Sequence, residues 1–476
     1  SDIRSDAMKV RGPIADGTDS FKGETVGLTN FFAIQNLSPS KTERMQEGWR
    51  EQTQSIFASA ELGYKSTYYI TLTGRNDWPS QLAGPNSKSK SFFYPSVGAS
   101  VVLSELMPKL NKDYLSYMKL RGSWASVGSA FGRYLANPRY EWTANSAQWS
   151  IMTQYPLYNL KPERTQSFEV GLTMRFLKNF DLDITYYNAK TMNQTFNPQL
   201  PVSGWSAMYI QTGAVRNQGI ELSLGYKNTW NKFSWDTGFT FSMNRNKILT
   251  LASDAINPIT GENFSIGTLN MGGLGEARFL LKEGGSMGDL YSFIDLKRDT
   301  NNKIYIDQAG KMTTETIKDP KKYIKLGSVL PKGNLAWRNN FSWNNFNAGF
   351  LVSARLGGVV FSRTQAMLDY YGVSEATAEA RDHGYVLVNG NDCVNPETWY
   401  GIIGGGTSVP QYYTYSATNV RLQEVSLGYT FPRKMLHNIC DIKISMIGRN
   451  LWMIYNKAPF DPESIASTDN FYQGID

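Results

Sequence analysis

The sequence predicts an all-β protein, an antiparallel transmembrane β-barrel wall, and three observations carry that expectation. Bulky apolar residues alternate with polar or small ones over long stretches. These stretches recur about twelve times, many of them longer than the usual five or six residues of soluble strands. The links between them alternate, shorter then longer, along the chain.

The alternation is clearest between Phe168 and Phe176. Phe168, Val170, Leu172, Met174 and Phe176 are separated by Glu169, Gly171, Thr173 and Arg175. Phe180, Leu182, Ile184 and Tyr186 then alternate with Asp181, Asp183 and Thr185. Successive side chains on a strand point to opposite faces, so each strand has one apolar and one wet face. Such strands suit a barrel with lipid outside and water inside, with Glu169 and Arg175 turned to the lumen.

The same reading, with turn residues as boundaries, places strands at 53–63, 66–76, 92–104, 116–127, 165–177, 180–192, 211–228, 233–246, 332–343, 345–358, 412–431 and 441–455. A tilted strand needs about 9–11 residues to cross a bilayer, and these are long enough. Links 63–66, 177–180, 228–232 and 344–345 are tight, and 105–115 and 432–440 are moderate. Links 76–91, 128–164, 193–210, 247–331 and 359–411 are long. In an up-and-down barrel this rhythm puts short periplasmic turns at one rim and long extracellular loops at the other. Aromatics near strand ends, such as Trp235, Tyr429 and Phe431, fit an interfacial girdle.

Composition agrees. The chain of 476 residues is 41% hydrophobic and 13% aromatic, enough for a large core. No apolar run reaches the ~18 residues of a membrane-spanning helix, which leaves a β-barrel open. The net charge of +7 comes from scattered basic residues, read as solvated loop charges, so no nucleic-acid partner is expected. Cys393 and Cys440 are too few to specify a disulfide framework, and whether they pair is left open. The start, Ser-Asp-Ile-Arg, has neither Met nor a signal peptide, and reads as mature, trimmed or a fragment.

An ordered series of motifs runs along these strands. Thr73-Gly-Arg-Asn-Asp-Trp-Pro-Ser80 is followed by Phe93-Tyr-Pro-Ser96 and Ser104-Glu105. Lys119-Leu-Arg121 leads to Val127-Gly128, and Leu160-Lys-Pro-Glu-Arg164 to Phe168-Glu-Val-Gly171. Gly213-Ala-Val-Arg-Asn-Gln-Gly-Ile-Glu221, Asn244-Arg-Asn-Lys-Ile-Leu249, Val420-Arg-Leu422, Val425-Ser-Leu-Gly-Tyr429, Arg449-Asn-Leu451 and Asp461-Pro-Glu463 complete it. Over about residues 50–465 this resembles the C-terminal barrel portion of the SusC/RagA-like TonB-dependent outer-membrane transporters of Bacteroidota.

The resemblance implies a barrel of about 22 strands around a plugged lumen, in the cell outer membrane. It implies TonB-energised import of oligosaccharides or peptides, and a SusD-like surface lipoprotein acting as lid. Contact with lipid and lipopolysaccharide follows from the location. Against that pattern, residues 1–52 read as an extracellular loop and the flank of the barrel, and 53–476 as the C-terminal part of the barrel. The plug domain and the final strand, with the terminal aromatic used in insertion, are missing, so a fragment cut at both ends is expected. A passive pore or adhesion barrel closed at twelve strands, and a secreted soluble carbohydrate-binding β protein, are the alternatives.

Little points to chemistry. The two histidines, His383 and His437, stand apart, and no zinc, EF-hand or nucleophile-elbow spacing occurs, so no catalytic, metal or cofactor residue is assigned. Met271-Gly-Gly-Leu-Gly275 and Gly404-Gly-Gly406 read as flexible loop, and Asp77, Asp461 and Glu463 as partners in salt bridges or turns rather than calcium ligands. Aromatic residues of the long loops are the candidates for ligand or lid contact, because rings stack on sugars and grip peptides. They are Trp142, Trp149, Tyr155, Trp205, Tyr209, Tyr371, Trp399 and Tyr400, with 128–164 and 359–411 as the leading loops.

Overall fold

A computed structural model describes the chain apart from residues 1, 12–18, 22–23, 27–32, 39–41, 85–89, 108, 110, 131, 133–140, 144–147, 151–153, 156–160, 197–206, 209, 257–260, 438 and 464–476. Thirteen strands form one sheet in chain order. We number them β1 (Asp2–Arg11), β2 (Glu43–Tyr64), β3 (Tyr68–Pro79), β4 (Phe92–Val102), β5 (Leu115–Ser129), β6 (Glu163–Phe176) and β7 (Phe180–Phe196). There follow β8 (Ile210–Trp230), β9 (Phe233–Thr250), β10 (Gly333–Trp343), β11 (Phe346–Leu356), β12 (Asn419–Thr430) and β13 (Lys443–Asn456). Each is antiparallel to the next, and among the described residues β1 and β13 do not pair with each other.

All twelve expected strands are present, and β1 is a thirteenth. It lies in the flank of 1–52, with Asp2 opposite Gln52 and Arg11 opposite Glu43. The sequence hid it because neither strand alternates there: Arg4, Asp6 and Lys9 of β1 face a stretch as polar as Glu43–Gln52. Among the described residues the wall thus has thirteen strands rather than twelve.

The tight links are left-handed turns with little glycine. Lys65 and Ser66 both have φ 52°, and the Thr67 N–H donates to the Tyr64 carbonyl at 3.1 Å. Leu177 and Lys178 (φ 49° and 65°), Asn231 (56°) and Asn344 (50°) turn the later hairpins. Two positive φ values match the right-handed twist of the flanking strands. All these turns fall at one rim, and the long connections at the other.

Two of the long connections are folded. A sheet of Thr268–Leu274, Ala277–Lys282, Asp289–Ser292 and Ile324–Ser328 lies between β9 and β10. Three helices lie between β11 and β12: α1 (Arg363–Tyr370), α2 (Glu375–His383) and α3 (Pro396–Ile403). Together these two connections share one hydrophobic core of Phe279, Leu290, Leu296, Met312, Phe361, Trp399, Ile403 and Tyr413. We call this body the crown. At about 1.5–3 kcal/mol per large side chain, that burial is its main source of stability.

The expected strand 412–431 is two strands. Thr414–Ser416 pairs with Val359–Phe361 in the crown, and β12 begins only at Asn419 in the wall. The chain steps between the two bodies at Gly357 and Gly358 (φ 75° and 86°) and at Ala417–Thr418. The Ala417 N–H donates to the Gly358 carbonyl at 3.0 Å, and the Gly357 N–H to the Thr418 hydroxyl at 2.9 Å.

The outer face of the wall carries its apolar side chains uncovered. Leu72, Val97, Leu120, Trp124, Phe168, Ile220, Leu427 and Met446 are all exposed. At the short-turn rim the rings join in a belt. Phe176 stacks on Phe180, which meets Tyr226, then Trp235 and Phe341, with centroids 4.7–6.4 Å apart. Phe346, Tyr429 and Phe431 continue it at 4.8 and 5.0 Å. Two indoles on this face find polar partners: the Trp337 indole donates to the Thr237 hydroxyl, and the Trp235 indole to Asn339 Oδ1, both at 3.0 Å. This is the girdle anticipated for Trp235, Tyr429 and Phe431.

Candidate functional site

The inner face of the wall is built from charges that lie flat. Arg121 on β5 reaches across β6 to Asp183 on β7, donating at 2.8 and 2.9 Å, and also to Thr173 and Thr185 at 2.7 and 2.6 Å. It can do so because Gly171 lies beneath it: a Cβ there would sit 2.5 Å from the guanidinium carbon. Asp181 lies over Gly225 in the same way, whereas Arg338 passes Gly238 at an ordinary 3.6 Å from where a Cβ would be. Arg338 pairs with Asp236 at 2.9 Å, and Arg449 with Glu424 at 3.1 Å. Glu169 lines a hollow of about 180 Å³ with Lys119 and Arg121, and Arg175 lies over the Tyr117 ring. Both residues are thus on the face that the alternation assigned to the lumen. The product is a polar surface on which several charges are paired and lie flat against the strands.

The motif acids are ion-paired. Arg75 Nε donates to Asp77 at 2.7 Å, and the Tyr94 hydroxyl donates to the other Asp77 oxygen at 2.9 Å. Arg421 bridges Asp461 at 2.7 Å and Glu463 at 3.3 Å, and Asn419 also donates to Glu463. Burial alone would raise the Asp461 carboxyl, but the hydrogen bond and charge of Arg421 together with the Glu463 N–H outweigh it and hold the group below the usual carboxylate range.

The crown holds a cleft of about 470 Å³. Its walls are the end of α1, the start of α3 and the segment around α2, with Asp369, Tyr371, Arg381, Asn395, Glu397 and Tyr400 among its lining. Each helix start is capped. The Ser362 hydroxyl accepts from the Gln365 N–H at 3.0 Å, Ser374 from Thr377 at 3.3 Å, and the Asn395 side chain from Glu397 at 2.8 Å. Gly384 (φ 81°) closes α2. These caps, with Pro396 at the first turn of α3, were the sequence signal that this loop is helical, and alternation reading passes over it.

The expected contact residues part company here. Tyr371 is 67% exposed on the rim of the cleft, edge-on to Tyr370 at 5.2 Å. Tyr400 lines the cleft, and its hydroxyl donates to the Ala376 carbonyl at 3.3 Å. Trp399, the next residue, turns the other way. It is 9% exposed, packed in the crown core and edge-on to Tyr412, so it is a core residue rather than a contact residue. Trp142 and Trp149 are register partners in a short hairpin, and Tyr155 sits in a two-residue strand beside Ala207–Met208. Trp205 and Tyr209 lie outside the described residues. Burial raises the hydroxyls of Tyr400, Tyr412 and Tyr413 and pushes Tyr415 up to about 12, so all four stay protonated at neutral pH.

The glycine-rich segments are close-packing points rather than flexible loop. A Cβ on Gly404 would lie 2.7 Å from the Tyr400 carbonyl and 2.8 Å from that of Ala366. Gly275 approaches the Gly406 carbonyl, so the two segments meet. Cys393, in the crown, and Cys440, in the link at the opposite rim, are both free and exposed. His383 ends α2 with Nδ1 2.8 Å from the Glu379 carbonyl, and His437 lies in the β12–β13 link.

Comparison with known proteins fits this architecture. "TonB-dependent receptor P3" of Formosa agariphila is 23% identical over 95% of the chain and 46% of its own length. "TonB-dependent receptor SusC" of Bacteroides thetaiotaomicron is 24% identical over 80% of the chain and 38% of its own length. The chain thus spans about half the length of the curated relatives it matches, or less. Among solved structures, the RagAB peptide importer in its open-open state superimposes with a TM-score of 0.68 at 18% identity, over 94% of this chain and 48% of that one, which establishes a shared fold. The family described as TonB dependent receptor-like, beta-barrel, matches residues 14–389. That span, most of the chain, displaces the secreted soluble alternative: the chain belongs to the TonB-dependent receptor-like β-barrel family of the bacterial outer membrane.

Proposed function

We propose that the protein acts as a TonB-dependent importer of oligosaccharides or peptides, of the SusC/RagA kind, with a SusD-like surface lipoprotein closing over the crown. In this reading the region described supplies wall and crown, while plug and TonB contact come from the rest of the transporter. Ligand is held on the outer side, TonB traction displaces the plug, and ligand passes along the inner face. The observation that carries the reading is the two-ended build of the wall: tight turns at one rim, a folded crown at the other, and between them a polar inner face with flattened ion pairs. A passive pore needs no crown of this size. An enzyme would need an activated nucleophile or a paired acid and base, whereas Asp183 and Asp236 on the inner face are bound to arginines.

The test is uptake by cells carrying the full-length protein. Fluorescent oligosaccharides and peptides are expected to enter only when both this gene and TonB are intact, and a surface lipoprotein is expected to co-purify. Uptake that persists without TonB would remove the active-transport reading, and purification without any lipoprotein would remove the lid.

A further inference from the structure

The crown cleft has a chemistry of its own, distinct from the inner face. Several of its main-chain groups are already bonded. The Tyr371 N–H donates to the Met367 carbonyl at 3.1 Å, and the Gly372 N–H to that of Asp369 at 3.0 Å. Arg381 Nη1 donates to the Gly372 carbonyl at 2.8 Å, which fixes the rim. The Gly384 N–H is bound within α2, and the Asn395 carbonyl accepts from Trp399. An extended peptide is gripped mainly by free main-chain donors and acceptors. Here the lining offers tyrosine rings and polar side chains instead.

Those side chains lean negative. Asp369 and Glu397 face one guanidinium, Arg381, and that group is partly committed to the rim. Asp369 is buried, and its Oδ1 is held by Gln365 Nε2 at 2.7 Å, so its position is fixed before any ligand arrives. Tyr371 presents an exposed ring braced by Tyr370, whose own ring packs on Gly405. A braced ring beside fixed carboxylate and amide groups suits a molecule with an apolar ring face and equatorial hydroxyls. A volume of about 470 Å³ accommodates such a ring and part of a second. The geometry points to a binding site for a neutral sugar unit on the crown, with Tyr371 as stacking platform, Asp369 and Glu397 as hydroxyl acceptors, and the Asn395 amide nitrogen as a donor, its oxygen being committed to the α3 cap. Uronate and sulfated glycans are excluded by the negative lining. The inference rests on the import reading only in that the crown faces the outside.

The test is binding to the full-length protein in detergent, on an array of neutral, uronate and sulfated glycans with lysine-rich and glutamate-rich peptides. Neutral glycans are expected to bind with saturation, and Tyr371→Ala to weaken them at least tenfold. Glu397→Gln is expected to weaken them less, without creating affinity for uronates equal to that for neutral glycans. Both residues are on the surface, so unchanged thermal unfolding is the control for folding. The proposal is overturned if no neutral glycan binds, if Tyr371→Ala leaves neutral-glycan binding intact, or if the binding it removes is to peptides or anionic glycans. Cellular uptake of the same compounds is measured in parallel. Binding without TonB-dependent uptake leaves the site standing and removes the import function, whereas uptake without binding at the crown does the reverse.

Discussion

Wall and crown solve opposite problems with the same chain. The crown hides its large apolar side chains: Phe279, Leu290 and Phe361 have no exposed surface. The wall displays its own, with Leu427 58% and Met446 76% exposed. A water-soluble sheet could not tolerate that row. The wall can, because its outer solvent is hydrocarbon, and its polar groups are turned inward onto each other. Burial therefore marks the core in the crown but not in the wall, where ion pairing marks the inner face instead.

The sharpest way to break this contrast is in the crown. Phe279→Ala is expected to cost about 3–5 kcal/mol, the usual loss for emptying a buried phenylalanine site. Because the crown has its own core, limited proteolysis of the full-length protein is expected to cut within 251–332 first while the wall stays folded. Simultaneous loss of wall and crown would show that they are one cooperative unit.

The wall should fail to a different insult. Leu120→Arg on the outer face is expected to cost about 2–4 kcal/mol, as for arginine near the bilayer midplane, read by denaturant titration in lipid vesicles. Ser123→Arg, on the inner face of the same strand, is expected to cost much less. Equal costs would mean that the two faces have been assigned wrongly.

The smallest effect concerns the flat charges. Gly171→Ala puts a Cβ against the Arg121 guanidinium, and overpacking of this kind costs about 1–3 kcal/mol. Gly122→Ala, with its nearest neighbour atom 3.8 Å from the new Cβ, is the matched control. If both variants unfold alike in the same vesicle titration, the glycine beneath Arg121 has no special role.

How much the sequence revealed follows the same division. Every lipid-facing strand was legible, because lipid imposes alternation with a period of two on residues such as Leu120 and Leu172. β1 was not, since Asp2–Arg11 and its partner stretch Glu43–Gln52 are rich in charge and lack the alternation. The crown was read as loop because its strands are short and its helices have eight or nine residues, too brief for a clear periodicity. Trp399 and Tyr400 show the limit at the level of single residues. They are adjacent aromatics in one loop, yet one is core and the other lines a cleft, and only packing around α3 separates them.

The aromatic belt also sets a height. It fixes the short-turn rim at one interface, so any strand length beyond the bilayer must emerge at the other. β8 has 21 residues, and at about 3.3 Å per residue and a tilt of about 45° it rises roughly 50 Å. The hydrocarbon band takes up only about 25 Å of that. β10 and β11, which lead to and from the crown, have 11 residues each and rise only about 25 Å by the same measure, so the outer rim is stepped: tall at β8, and level with the outer edge of the hydrocarbon where the crown is attached.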